Sequence, residues 1–248
     1  MRFPEFLKKN GTIGFVAPSF GCNREPYKTS FEHALEKFHS MGYQTTLGPN
    51  CFEGSGIGIS NTPEKCAAEL NKMYLSDEAD AIISCGGGEL MCEILDDVDF
   101  DAIKAANPKW YMGYSDNTNF TFLLTTICDV ASIYGPCAGT FGMEPWDESI
   151  EDCFSLFTGK KLTMQSYQLW EKEGLRDEEH PLEPYNLTEQ SLVRSFMTKK
   201  DQAGEVQAFE TEGNIEFKGR LIGGCMDCLV NLTDTRRMAS SGIWNHVI

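Results

Sequence analysis

The sequence of 248 residues predicts an α/β protein whose N-terminal part is a doubly wound, mostly parallel sheet. Three observations predict it. Short apolar runs such as "TIGFVAP", "ADAIISC" and "KWYMGYS" alternate with segments whose apolar residues recur at helical spacing. The alternation of strand and helix is the pattern of a parallel sheet covered on both faces. Three of the loops that follow strands, after Ala17, Cys85 and Tyr114, fall at the carboxyl ends, where such sheets bind ligands.

The elements follow in order. "TIGFVAP" reads as a strand ending in a turn. Tyr27 to Met41, "YKTSFEHALEKFHSM", reads as a helix that Gly42 stops, and "YQTTLGP" as a second strand. "NTPEKCAAELNKMYL" opens a helix with Thr62 as cap and Pro63 at the first helical position. "ADAIISCGGG" is a buried strand running into Gly86, Gly87 and Gly88. "DFDAIKAANP" is a short helix closed by Pro108, "KWYMGYS" a strand, "NTNFTFLLTTI" a helix and "VASIYGP" a strand. Past Gly159 the composition changes. "KKLTMQSYQLWEKEGLRDEEHPLEPYNLTEQ" is charged, carries Pro181 and Pro184, and reads as a connector. "GEVQAFETEGNIEFKGRLIGG" alternates weakly, as strands of a second domain do, and "CMDCLVNLT" starts a helix. The expected division is residues 1–160 as the α/β domain, 161–190 as connector and 191–248 as a smaller, partial, β-rich C-terminal domain.

Composition narrows the function classes. Hydrophobic residues make up 41% of the chain and charged residues 23%, enough for a core. The net charge of -16 repels nucleic acid and anionic membranes, so neither is an expected partner. The N-terminus shows no signal peptide and no run long enough to span a bilayer, which points to the cytoplasm. Ten cysteines lie scattered in mostly core-like contexts, as in a reduced compartment. Cys225 and Cys228 are the one close pair; without a second such pair or a nearby histidine they make a poor zinc site, and no metal is expected.

The chemistry centres on "WYMGYSDNT". Ser115 lies where a strand ends and a helix begins. Two roles fit it: a helix N-cap, or a nucleophile on a tight turn resembling a nucleophile elbow without its second glycine. Gly86, Gly87 and Gly88 fit a plain tight turn, an anion nest or an oxyanion hole; no dinucleotide or P-loop fingerprint accompanies them. The Asp116 amide fits an oxyanion donor and its side chain a helix cap. Trp146, in "GMEPWDES", fits either a platform for an aromatic or sugar-like group or a packing position. A serine nucleophile needs a base. His33 and His39 lie on a helix away from the strand ends, His180 in the connector and His246 near the terminus, and none suits that role.

The chain resembles the LD-carboxypeptidase family of serine peptidases, in its branch similar to microcin C immunity proteins. The resemblance runs through "GTIGFVAPSFG", "ISNTPEKCAAELNKMYLSDEADAIISCGGGE", "WYMGYSDNTNFTFLL" and "IEFKGRLIGGCMDCLVNLT". It implies a flavodoxin- or glutamine-amidotransferase-like sheet, a Ser-Glu-His triad with Ser115 as nucleophile, and oxyanion donors at Gly87 and Asp116. It implies no cofactor and no metal, a homodimer, and a small peptide or peptidyl-nucleotide substrate cut at an amide bond near its C-terminus. The family's glutamate and histidine come after the "GGCMDCL" segment, and no position here matches them. The expectation is therefore a shortened chain with little hydrolysis of its own. The alternatives are a family member that only binds, or, on the alternation and the glycines alone, a nucleotide-binding module.

Overall fold

The computed structural model describes residues 1–56, 58–202, 204–211 and 215–236. Five strands, β1 (Thr12–Val16), β2 (Gln44–Leu47), β3 (Ala81–Ser84), β4 (Tyr111–Gly113) and β5 (Ile133–Tyr134), form one sheet in the order β2-β1-β3-β4-β5, and every neighbouring pair is parallel. Parallel neighbours need crossovers. Four helices lie between the strands: α1 (Tyr27–Ser40), α2 (Pro63–Leu75), α3 (Phe100–Ala105) and α4 (Thr118–Thr126). The strand order reverses between β1 and β3, the kind of switch point beside which open α/β sheets bind ligands.

Burial explains why the strands read as apolar runs. In β3, Ile82 faces one core while Ala81 and Ile83 face the other. In β1, Ile13 and Phe15 point one way and Val16 the opposite way. The core with Phe15 and Ile83 is closed by Phe31, Ala34 and Phe38 of α1 and by Ile150, Phe154 and Phe157 of α5 (Glu148–Phe157). The core with Val16 and Ile82 is closed by Leu70 and Met73 of α2, Ile103 of α3, and Phe120 and Leu123 of α4. The sheet is thus covered on both faces, as its sequence predicts. Thr62 stands at the N-cap of α2 in extended backbone, but its side chain makes no capping bond. The start of that helix rests on Pro63, whose missing N–H leaves one fewer donor to satisfy.

The later segments are antiparallel. Residues 161–190 hold more than an irregular crossing: β6 (Leu169–Glu171) pairs with β7 (Leu187–Gln190). This stretch is docked on the sheet domain. Ser30 Oγ donates to Pro181 O at 2.5 Å, Glu144 N to Leu182 O at 2.9 Å, and Tyr167 OH to Asp152 Oδ2 at 3.0 Å. A second hairpin joins β8 (Phe196–Lys200) and β9 (Val206–Glu210), both exposed along their whole length. The last described element is α6 (Met226–Thr233), where a helix was expected. Its Leu232 enters the core beneath α4. No helix among the described residues is long and apolar enough to cross a membrane, and all ten cysteines are free thiols.

Candidate active site

Because β1, β3 and β4 are neighbours, the loops that leave them meet. Phe20 N, after β1, donates to Gly87 O, after β3, at 2.8 Å. Beyond β4 the chain enters a 3-10 turn over Ser115–Asn117 and then α4. Ser115 has φ +59°, a left-handed conformation that costs a side-chain-bearing residue roughly 1–3 kcal/mol and persists only where its surroundings enforce it. The enforcement is visible. Ser115 N donates to Tyr134 OH at 3.0 Å. The buried Asn117 side chain donates to Tyr114 O at 3.1 Å and to Gly86 O at 2.9 Å, and accepts from Tyr111 OH at 2.6 Å. One amide side chain thereby staples the serine turn to the glycine loop.

Ser115 is half-buried, its backbone does not occupy the N-cap of α4, and its hydroxyl bonds to no described residue. The N-cap role is therefore absent. The hydroxyl faces the glycine loop instead: a Cβ added to Gly87 would stand 3.1 Å from Ser115 Cβ and 3.3 Å from its Oγ. Gly88 is as tightly confined, since a Cβ there would collide with Ser19 Oγ and come 2.6 Å from Gly58 O. The backbone N–H groups of Gly87 and Asp116 bond to no described residue, which leaves both as donors beside the hydroxyl. Gly86 contributes through its carbonyl, which accepts from Ser84 Oγ at 3.0 Å as well as from Asn117.

The Asp116 side chain is buried and does not cap α4. Its Oδ2 accepts from Ser19 Oγ at 2.5 Å and from Met91 N at 2.8 Å, and its Oδ1 from Asn119 Nδ2 at 2.8 Å. Burial raises its pKa above the ordinary aspartate range, and the bonds from Ser19 and Met91 oppose that rise. The helix α6 closes over this ground. Cys225 N donates to Thr118 Oγ1 at 2.8 Å, and Cys228 Sγ lies 3.5 Å from Ser115 O and 4.0 Å from Asp116 Oδ1. A Cβ on Gly224 would collide with the Thr118 methyl, so only glycine allows this approach. A partly open cavity of about 170 Å³ lies between Gly88, Ser115 and Asp116 on one side and Cys225, Asp227 and Cys228 on the other.

The structure brings together Ser115, Asp116 and the three glycines and leaves Trp146 out. Trp146 packs against Phe38, Phe141 and Phe154, donates from Nε1 to Phe141 O at 2.6 Å, and carries the Lys37 ammonium 5.0 Å from its ring centre. It is a packing residue between α1 and α5. The described histidines are engaged elsewhere: His33 Nδ1 with Gly142 O at 2.7 Å, His39 Nε2 with Thr45 Oγ1 at 2.7 Å, and His180 Nδ1 with Asp177 Oδ1 at 3.0 Å. His246 lies outside the described residues. Sequence reading missed Ser19, Asn117, Asn119 and Tyr134. The signal for two of them was present, since "SDNTN" is a polar run heading a helix that is otherwise apolar.

Residues 13–135, from the second residue of β1 to just past β5, match the LD-carboxypeptidase N-terminal domain. This stretch of the chain is an LD-carboxypeptidase N-terminal domain. It is 30% identical over 229 residues to the microcin C7 self-immunity protein MccF of Escherichia coli, a match that covers 91% of this chain and 62% of that protein. It is 29% identical over 140 residues to a probable murein peptide carboxypeptidase of Bacillus subtilis (strain 168), covering 55% of this chain and 41% of the relative. The chain therefore spans less than two thirds of the length of these two relatives. Among solved structures, MccF in complex with aspartyl sulfamoyl adenosine shares the fold, with a TM-score of 0.72 over 96% of this chain and 67% of that one at 23% identity.

Proposed function

We propose that this protein carries the nucleophile half of a serine carboxypeptidase-type site that cleaves an amide bond near the C-terminus of a small peptide. The observation that supports it most is Ser115, held at φ +59° with a free hydroxyl against Gly87. Ser115 attacks the amide carbonyl. The Gly87 and Asp116 N–H groups receive the charge that grows on the carbonyl oxygen, where preorganised donors stabilise a transition state most effectively. Gly86 and Gly88 shape the substrate side of that pocket. The proton of Ser115 needs a base to receive it, and none of the described histidines lines the cavity.

The substrate class follows the relatives. MccF has been solved with aspartyl sulfamoyl adenosine and another relative is a probable murein peptide carboxypeptidase. A peptidyl-nucleotide and an L,D-peptide of peptidoglycan are the two candidates. A cytoplasmic setting and a homodimer belong to the same reading. A second reading, binding without turnover, draws only on the lack of a cavity-lining histidine among the described residues.

Hydrolysis of an L,D-tetrapeptide and of an aminoacyl nucleotide analogue separates these readings, measured for the 248-residue chain and for its full natural reading frame. Turnover by the full frame, abolished in Ser115→Ala, supports the hydrolase. Ligand binding by calorimetry with no turnover from either supports the binding protein. Equal turnover with and without the Ser115 hydroxyl overturns the proposed role of Ser115.

A further inference from the structure

Two thiols beside Ser115 have no part in the proposed hydrolysis. Cys225 is the N-cap of α6 and Cys228 its third helical residue. Residues three apart on a helix share a face, and their Cα atoms lie about 5 Å apart in ideal geometry. That separation falls within the range a disulfide bridges without backbone movement. Both thiols are half-buried and line the same cavity, whereas Cys22, Cys51, Cys66, Cys85, Cys128 and Cys137 are buried in the cores. We infer that Cys225 and Cys228 form a redox-modification site, a dithiol that closes to an intramolecular disulfide by exchange with a low-molecular-weight disulfide such as oxidised glutathione.

The two thiols have different places in the sequence of steps. Burial, the neighbouring Cys225 and the Asp116 carboxylate hold the Cys228 thiol up at about 12. Cys225 therefore attacks first. Its thiolate forms a bond to one sulfur of glutathione disulfide, and the other sulfur leaves as glutathione thiolate and takes up a proton. Cys228 then loses its proton to water and attacks the Cys225 sulfur, expelling the second glutathione. Two protein thiols are oxidised by two electrons, one glutathione disulfide is reduced to two thiols, and no other reactant is needed. The raised Cys228 thiol makes the second step the slower one.

The bond has a consequence for the site. Cys228 is the sulfur beside Ser115 O and Asp116 Oδ1. Bonded to Cys225, it has no S–H to donate to the serine turn. The dithiol and its chemistry stand whether or not Ser115 hydrolyses anything.

The test is to equilibrate the chain with reduced and oxidised glutathione at a series of ratios, quench with acid, block free thiols and map peptides by mass. Expected is the loss of two hydrogens from the peptide carrying both cysteines, reversed by a reduced dithiol. Cys228→Ser should accumulate one glutathionyl group on Cys225, and Cys225→Ser should take neither the bridge nor the adduct. Serine is itself a good N-cap, so Cys225→Ser retains the helix start, which a thermal melt checks. Two unmodified thiols at every ratio would overturn the inference. A bridge from either cysteine to Cys92, which lines the same cavity, would overturn it equally. Because no step reads hydrolysis, failure of the Ser115 proposal leaves this result unaffected.

Discussion

All four residues of β3 are buried, whereas every residue of β8 and β9 is exposed. The same chain therefore builds sheet in two ways. In the parallel sheet, strand identity follows from packing on two faces. In the hairpin it rests on the ladder, on cross-strand pairs such as Met197 with Phe209, and on the exposed Arg194–Glu210 ion pair. An isolated two-stranded hairpin is marginally stable in water. Apart from α6, the candidate site is made wholly from the first kind of structure. That explains how a strained serine is kept in place: the loops that hold it leave strands with no freedom to shift.

The comparison can be broken by truncating one aromatic in each region. Phe120 is fully buried, with its ring against Tyr111, Tyr74 and Phe100. Phe120→Ala should cost about 3–5 kcal/mol in urea unfolding, and Phe209→Ala less than about 1 kcal/mol. Similar losses at both positions would mean that the hairpin carries core-like stability. The next effect belongs to the staple. Asn117→Ala leaves the Tyr111 hydroxyl without its acceptor and takes one donor each from Gly86 O and Tyr114 O, and should cost about 2–4 kcal/mol while lowering turnover more than it raises KM. A variant that loses stability but keeps its kcat would separate Asn117 from the serine turn.

A smaller effect is expected at Glu69, which receives the Ala17 N–H at 2.7 Å and the Asn50 N–H at 2.8 Å and so ties the loops after β1 and β2 to α2. Burial raises its pKa above the ordinary 4.5. Between that value and the raised one, the folded state holds the proton more tightly than the unfolded state, so this group's stability contribution falls as pH rises. Glu69→Gln should lose about 1–3 kcal/mol, because one backbone donor then meets an amide NH2. It should also remove that slope, read as the wild-type-minus-variant difference in urea midpoints upward from pH 4.5. The smallest effect is Arg194→Ala on the hairpin. Its partner Glu210 is about half exposed, and the change should leave the urea midpoint almost unmoved, and the remaining shift should vanish in high salt.

What the sequence disclosed follows the same division. β1, β3 and β4 are buried almost throughout and carry an uninterrupted apolar signal, so they were legible; β2, exposed or half-buried along its length, was read without one. The β6–β7 pair was not, because its strands are short, largely exposed and embedded in charged sequence. In the site, Ser115 and Gly87 stood out by residue type and place. The Asp116 carboxylate reads from sequence as a helix cap. Its actual partners, Ser19 and Met91, lie on the loop after β1 and at the start of a 3-10 turn after β3, and only the strand order brings them together. Trp146 shows another case: a tryptophan in a polar loop reads either as an exposed platform or as a packing residue, and its ring is drawn into the aromatic cluster beneath that loop.

The central claim is that Ser115 and the N–H groups of Gly87 and Asp116 surround one reacting atom. A crystal structure of the chain soaked with a peptidyl boronic acid tests it directly, because a nucleophilic serine adds to boron and leaves a boronate oxygen where the oxyanion would form. The account predicts a bond from Ser115 Oγ to boron, a boronate oxygen within about 2.7–3.1 Å of both amide nitrogens, and no adduct in Ser115→Ala. An adduct on another residue, or an oxygen directed away from Gly87 and Asp116, would contradict it.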